Sequence, residues 1–163
     1  MSELIMRTAA TSDIEQLAAM RFDFALEEEA GLEVTHEQKS DYHDEMHEFL
    51  VEAIGSEHWV VWVAEYEEQV VSHIYLEMIH NVPRPGRLTQ PFIYMTNVYT
   101  LPEFRGRGIG SRLAQVVEQW ARELEHEFIL VWPEGRGETF YAKNGYSVCS
   151  GPMELTFGRR QAE

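Results

Sequence analysis

Hydrophobic residues in the first third of the chain repeat with helical spacing in two places. The first stripe consists of Ile14, Leu17, Ala18, Phe22 and Ala25, and the second of Tyr42, Met46, Phe49, Leu50 and Ala53. Thr35 and Gln38 precede the second stripe at the spacing typical of a helical capping box. The pattern therefore predicts two amphipathic helices, and the apolar run at 4–7 predicts a short strand before them.

The period changes to that of strands after residue 58. Residues 59–64 are bulky and include three β-branched valines, the stretch 66–69 is polar, and 70–80 alternates between two faces. Together these features predict an antiparallel hairpin. Residues 81–91 hold three of the six prolines and predict a loop. A further strand is expected at 92–100.

The strongest helical stripe lies in the second half of the chain. It consists of Leu113, Val116, Val117, Trp120, Ala121 and Leu124, and it predicts a helix over 109–126. A strand at 128–132, a short helix at 138–143 and two closing strands at 146–148 and 153–157 are expected to follow.

The order of these elements predicts the fold class. A strand, the 109–126 helix and a second strand form a βαβ unit long enough for a parallel crossover. We expect an α/β (α+β) fold in a single domain over 1–163. Its mixed sheet should be mostly antiparallel, with helices on both faces.

Composition narrows the functional classes. The chain has 13 basic and 28 acidic residues, a net charge of −15, so a nucleic-acid partner is not expected. Hydrophobic residues make up 44% of the chain, enough for a core, and none of the apolar runs has membrane-spanning length. With a single cysteine, Cys149, and no signal-like start, we expect a soluble, cytoplasmic protein with no membrane partner.

Glycine and arginine alternate between the strand at 92–100 and the following helix. The glycines are Gly106, Gly108 and Gly110, and the arginines are Arg105, Arg107 and Arg112. A helix N-terminus presents backbone N–H groups and partial positive charge, and glycine lets a ligand approach the backbone closely. Arginine adds forked, charge-assisted hydrogen bonds. These features predict a bound phosphate or diphosphate.

Two familiar phosphate motifs match this segment poorly. The P-loop needs a lysine after its glycines, and none follows here. The dinucleotide motif G-x-G-x-x-G needs a glycine where Ser111 lies, and it opens its domain. A nucleotide-binding domain therefore remains a weaker alternative.

The segment resembles motif A of the GNAT superfamily of acyl-CoA-dependent N-acyltransferases. The matching residues run through Val98-Tyr99-Thr100-Leu101-Pro102-Glu103-Phe104-Arg105-Gly106-Arg107-Gly108-Ile109-Gly110. A second resemblance to the family lies in Phe140-Tyr141-Ala142-Lys143-Asn144-Gly145-Tyr146. The resemblance implies a GNAT-like fold and an N-acetyltransferase that uses acetyl-CoA on a primary amine of a small molecule or peptide.

The resemblance also implies roles for individual residues. Tyr141 would protonate the leaving thiolate. Backbone groups around Val98 and Thr100 would pair with the pantetheine arm, and amides from Arg107 to Ser111 would hold the pyrophosphate. The full set expected to bind the cofactor is Val98, Tyr99, Thr100, Arg105, Gly106, Arg107, Gly108, Ile109, Gly110, Ser111 and Asn144. Proteins similar to this one are often dimers, so a homodimer is also expected.

The residue that deprotonates the amine is left open. His73 and Glu77 alternate with Ile74 and are expected to face solvent rather than an acceptor cleft. Asn97, a polar residue within a strand, can only position water. A non-catalytic acyl-CoA-binding or regulatory module is the alternative to an enzyme, and the presence of Tyr141 argues against it.

Two polar features of the predicted helices allow both a functional interpretation and that of a plain solvated surface. His43 and His47 lie one helical turn apart without an evident third ligand, so a metal site is not expected. Residues 27–57 hold eleven acids and only Lys39 as a basic residue. A solvated helix face explains this charge, and a preference for a cationic amine is the competing hypothesis.

Overall fold

The computed structural model describes residues 3–135 and 137–157. These residues form five strands, four α-helices and two short 3-10 turns, Thr11–Asp13 and Pro102–Phe104. The strands are β1 (Leu4–Thr8), β2 (Trp59–Tyr66), β3 (Gln69–Ile79), β4 (Phe92–Thr100) and β5 (Ile129–Leu130), and the helices are α1 (Ile14–Glu28), α2 (His36–Ala53), α3 (Ile109–Glu123) and α4 (Gly137–Lys143). One compact unit extends to Trp132, and a second begins at Pro133 and contains α4.

The first unit is built on one sheet with the strand order β1-β2-β3-β4-β5. The pairs from β1 to β4 are antiparallel, and β4 pairs with β5 in parallel. The crossover between β4 and β5 contains α3, as expected of a βαβ unit. The predicted mixed, mostly antiparallel sheet is confirmed.

Helices cover both faces of this sheet. On one face, Phe49 of α2 contacts Trp59 edge-on at 5.1 Å between ring centroids. On the other, Trp120 of α3 contacts Trp62 at 6.2 Å. Trp59 and Trp62 are an odd number of positions apart on β2 and point to opposite faces. α1 packs beside α2, so the two predicted amphipathic helices form one layer and α3 the other.

The start of α2 follows its sequence signature. The Thr35 hydroxyl accepts from the Gln38 backbone N–H at 3.2 Å, and the Gln38 side chain accepts from the Thr35 N–H at 2.9 Å. This capping box satisfies donors that a helix N-terminus otherwise leaves unpaired.

Strand β3 is buried on both faces, which corrects one expectation. Ile74 and Leu76 lie under α3, while His73 and Tyr75 lie on the α1–α2 side, and all four have at most 2% of their surface exposed. The expectation that His73 faces solvent is wrong because two helices cover that face. Glu77, near the end of the strand, is half-buried.

The end of the chain also differs from its pattern. β5 contains two residues instead of the predicted 128–132, and the described residues 146–157 contain no strand. Val148, Met153, Leu155 and Phe157 are each at least 77% exposed. Alternation alone does not make a strand, because a strand needs a partner for its backbone hydrogen bonds.

No helix in the described part of the chain is both long enough and apolar enough to cross a bilayer.

Candidate functional site

The loop between β4 and α3 is shaped by two glycines in the left-handed region. Gly106 has φ 73° and Gly108 has φ 75°, values that residues with a Cβ adopt only at a cost. A Cβ built on either glycine would meet no protein atom within 4 Å. The space beside this loop is therefore accessible, as a bound ligand requires.

The N-terminus of α3 is left without a side-chain cap. Gly108 occupies the N-cap position, where it has no side chain to donate or accept, and the first turn of the helix contains no acidic residue. α2 differs, since Thr35 and Gln38 cap it and Glu37 lies in its first turn. The positive end of the α3 dipole is therefore available to an anion.

The three arginines of the segment have different surroundings. The Arg105 guanidinium ion-pairs with Glu27 of α1 at 2.8 Å, and its Nε donates to the Thr100 carbonyl at 2.8 Å. Arg107 donates to the Glu103 carbonyl at 2.9 Å and is exposed. Arg112, in the first turn of α3, is also exposed. The predicted phosphate contacts thus fall more naturally to Arg107 and Arg112 than to the side chain of Arg105.

Glu27 of α1, far from the glycine loop in the sequence, contacts both Arg105 and Tyr99. The Tyr99 hydroxyl donates to Glu27 at 2.6 Å, and the Arg105 guanidinium lies 5.2 Å from the centre of the Tyr99 ring. The hydrogen bonds from Tyr99 and Arg105 outweigh partial burial and lower the pKa of Glu27. Glu27 therefore stays ionised and ties α1 to the glycine loop.

β4 presents an unpaired backbone edge next to the loop. Its ladder with β5 covers only Ile93 and Tyr94. Because Leu101 N–H donates to the Val71 carbonyl of β3, the alternation of the strand turns the backbone groups of Val98 and Thr100 away from β3. The described residues provide no strand partner on that side beyond Tyr94.

Tyr99 and Ile109, also predicted to bind the cofactor, are placed differently. The backbone of Tyr99 faces β3, its ring contacts Phe24 of α1 at 5.1 Å, and the residue is buried. Ile109, the first residue of α3, has a buried side chain, so its contribution to ligand binding falls to its backbone N–H. Gly110 and Ser111 continue the first turn and are half-buried.

Tyr141 and Asn144 belong to the second unit. Within that unit, the Tyr141 ring contacts Tyr146 edge-on at 5.4 Å, and the Asn144 side chain donates to the Phe140 carbonyl at 2.8 Å. Both side chains are half-buried. Their predicted contacts with the thioester and the cofactor stay predictions.

The two histidines on α2 contact an acid of α1. His43 Nε2 lies 2.8 Å from Glu15 Oε2, and His47 Nε2 lies 3.6 Å from Glu15 Oε1. No group of three or more potential metal ligands was found among the residues that the structure describes. Hydrogen bonding to Glu15 raises the pKa of His43. The pair is best understood as a link between α1 and α2.

The first unit therefore combines two binding features in one place. An uncapped helix N-terminus with exposed arginines suits phosphate oxygens, and an unpaired strand edge suits an extended chain that carries amide groups. A coenzyme with a diphosphate and an amide-containing arm fits both at once.

A family model described as "Acetyltransferase (GNAT) family" matches residues 21–146. The chain belongs to the GNAT acetyltransferase family. The match includes the glycine loop, the β4 edge and Tyr141, and it confirms the resemblance drawn from the motifs. The protein is thus an acetyltransferase, and acetyl-CoA is the acetyl donor that this family uses.

Solved structures agree with this assignment. A predicted acetyltransferase with acetyl-CoA from Clostridium acetobutylicum is 25% identical, with a TM-score of 0.77, and the match covers 94% of this chain and 96% of that one. A GCN5-related N-acetyltransferase from Ralstonia eutropha is 24% identical, with a TM-score of 0.75 and coverage of 96% and 100%. The aminoglycoside N-acetyltransferase AAC(6')-Iy in complex with CoA is 14% identical, with a TM-score of 0.68 and coverage of 99% and 97%. The last two show the fold alone. Comparison with curated proteins gave no match.

Proposed function

We propose that this acetyltransferase is an N-acetyltransferase that moves an acetyl group from acetyl-CoA to a primary amine by direct attack. The observation that carries the proposal is the uncapped N-terminus of α3 beside the unpaired edge of β4. The helix N-terminus suits the coenzyme's diphosphate, and the strand edge suits its amide-bearing arm. The amine substrates on which enzymes of this family act make nitrogen the expected acceptor.

Each part of the chain has a separate task in this proposal. Backbone N–H groups at the start of α3, with Arg107 and Arg112, neutralise the diphosphate. The outward backbone groups of Val98 and the N–H of Thr100, whose carbonyl accepts from Arg105, bind and orient the arm. When bound, acetyl-CoA supplies an acetyl group activated as a thioester.

The reaction balances with one proton lost and one proton gained. The neutral amine nitrogen forms a bond to the acetyl carbon while the carbon–sulfur bond breaks, and the nitrogen gives a proton to solvent water, from which Tyr141 regains the proton it donates. The Tyr141 hydroxyl donates a proton to the departing sulfur, which avoids release of a free thiolate. This role for Tyr141 rests on the family motif in which it lies.

We further propose that a cationic acceptor is preferred. Residues 27–57 carry eleven acids against one lysine, and they span the end of α1 and all of α2. Such a surface attracts a polyamine, an aminoglycoside or a basic peptide end at long range. AAC(6')-Iy, a structural neighbour, acts on aminoglycosides by its description, which makes that class a useful arm of the test.

A thiol-release assay tests both proposals. Purified protein is incubated with acetyl-CoA and spermidine, an aminoglycoside or a neutral amino acid, and released CoA thiol and acetylated amine are measured. N-acetylation of an amine supports the first proposal, whereas CoA binding without release by any amine indicates the non-catalytic module. Faster turnover of the cationic amines that falls with added salt supports the second. Equal rates with no salt dependence contradict it.

A further inference from the structure

β4 contains a bulge beside the proposed arm-binding edge. Tyr99 pairs with His73 and Thr96 pairs with Tyr75, so two residues of β4, Asn97 and Val98, lie opposite the single residue Ile74. Asn97 has φ 47°, a left-handed value that is uncommon outside glycine. The strand therefore departs from regular geometry at one defined residue.

A buried histidine contacts the bulge directly. His73 Nδ1 lies 2.8 Å from the Asn97 backbone carbonyl. A carbonyl oxygen can only accept, so Nδ1 carries the hydrogen and donates it. The bond joins neighbouring strands at the position where their regular ladder is interrupted.

The surroundings of His73 hold the ring in this arrangement. The residue is fully buried, with its ring 5.1 Å from that of Tyr75 and 5.7 Å from that of Tyr99. Burial, together with the nearby charge of Arg21, lowers its pKa to about 4, so the ring is neutral at pH 7. Nε2 has no hydrogen-bond partner among the described residues. The contact with Asn97 is thus a direct polar contact that orients this ring.

The bulge changes which backbone groups of β4 reach the unpaired edge. Before it, Ile93 donates to the Phe128 carbonyl on the β5 side, so odd-numbered residues face that side. After it, the even-numbered Val98 and Thr100 face that side, because Leu101 donates to β3. If the same residues continued in regular alternation without a bulge, Tyr99 would present its backbone there instead.

We propose that His73 is a positioning residue for the acyl-donor site, acting through the Asn97 carbonyl to hold the register in which Val98 and Thr100 face the coenzyme's arm. The inference rests on the proposed function and names His73 as the residue that shapes the β4 edge used for binding. His73 itself touches neither the donor nor the acceptor.

Two variants and one control test the inference by calorimetric titration of the full chain with CoA. H73N retains an N–H donor near the position of Nδ1, whereas H73L fills similar space without one. We expect H73L to weaken CoA binding at least tenfold and H73N to stay within threefold of wild type. Y75F, which removes a neighbouring buried hydroxyl that has no partner among the described residues, should bind CoA as wild type does. Equal CoA affinity of H73L and wild type would overturn the inference.

A second measurement covers the case in which H73L does not fold. NMR of the wild-type imidazole at pH 7 should show a protonated Nδ1 and an unprotonated Nε2. An Nε2-protonated ring overturns the inference. CoA binding without acetylation of any amine overturns the proposed function alone, whereas a wild type that does not bind CoA overturns both.

Discussion

The buried, neutral state of His73 predicts a loss of stability on mild acidification. Its pKa is lowered from the ordinary value of 6.5 to about 4, chiefly by desolvation and also by the charge of Arg21. The other groups packed against the ring are the Tyr75 and Tyr99 side chains, which stay protonated in this range. The folded state therefore resists protonation of His73 at pH values where the unfolded chain takes up a proton.

The sign and size of the effect follow from linkage. Between pH 6.5 and pH 4 the unfolded chain binds more protons at this position than the folded chain, so stability falls as the pH falls. From pH 7 to pH 5, His73 passes through about 1.5 pH units of this window, and at about 1.4 kcal/mol per unit the loss is about 2 kcal/mol. His43 has a raised pKa and contributes with the opposite sign.

Urea unfolding at pH 7 and pH 5 of wild type and H73N measures this contribution. The variant lacks the titrating group but retains His43 and all carboxylates, so their contributions cancel in the difference between the two proteins. Wild type should lose about 2 kcal/mol more than H73N over this interval. An equal loss in both proteins would show that His73 titrates normally, and the burial argument would be refuted.

Three further substitutions test other parts of the site. G108A and G31A both place a Cβ at positive φ and should each cost about 1 kcal/mol in unfolding free energy, but only G108A should weaken CoA binding in calorimetry. Y141F should lower kcat at least about tenfold with little change in the KM for acetyl-CoA, whereas Y146F should not, and an unchanged kcat in Y141F would remove the proposed acid. E27Q breaks an ion pair between side chains that are about 40% exposed, so chemical denaturation should show a loss below about 1 kcal/mol that shrinks with added salt.

Local patterns in the sequence predicted most of the first unit. The bounds of β4 agree with the predicted 92–100, and the Thr35 capping box forms as expected. The glycine loop could be recognised because a left-handed turn before a helix depends only on a few neighbouring residues. Patterns of this kind act within one or two turns of chain, which is the range that sequence periodicity describes.

Features that depend on distant partners could not be predicted in this way. Glu27 and Arg105 are 78 positions apart and meet only because α1 packs against the β4 end of the sheet. The burial of His73 depends on α1 and α2 covering β3, which alternation on β3 alone does not reveal. The bulge had one visible sign, the polar Asn97 within the strand, but the histidine that contacts its carbonyl comes from the neighbouring strand, 24 positions earlier.

Because of the bulge at Asn97, the number of residues in β4 matters for function as well as their types. Deleting a single codon between Thr96 and Tyr99 would restore regular pairing with β3 and leave Tyr99 opposite His73, but it would remove the bulge and its left-handed residue. Most point substitutions in this stretch leave the count intact. Among natural relatives, the spacing between these two positions should therefore tolerate gaps far less readily than it tolerates changes of residue type.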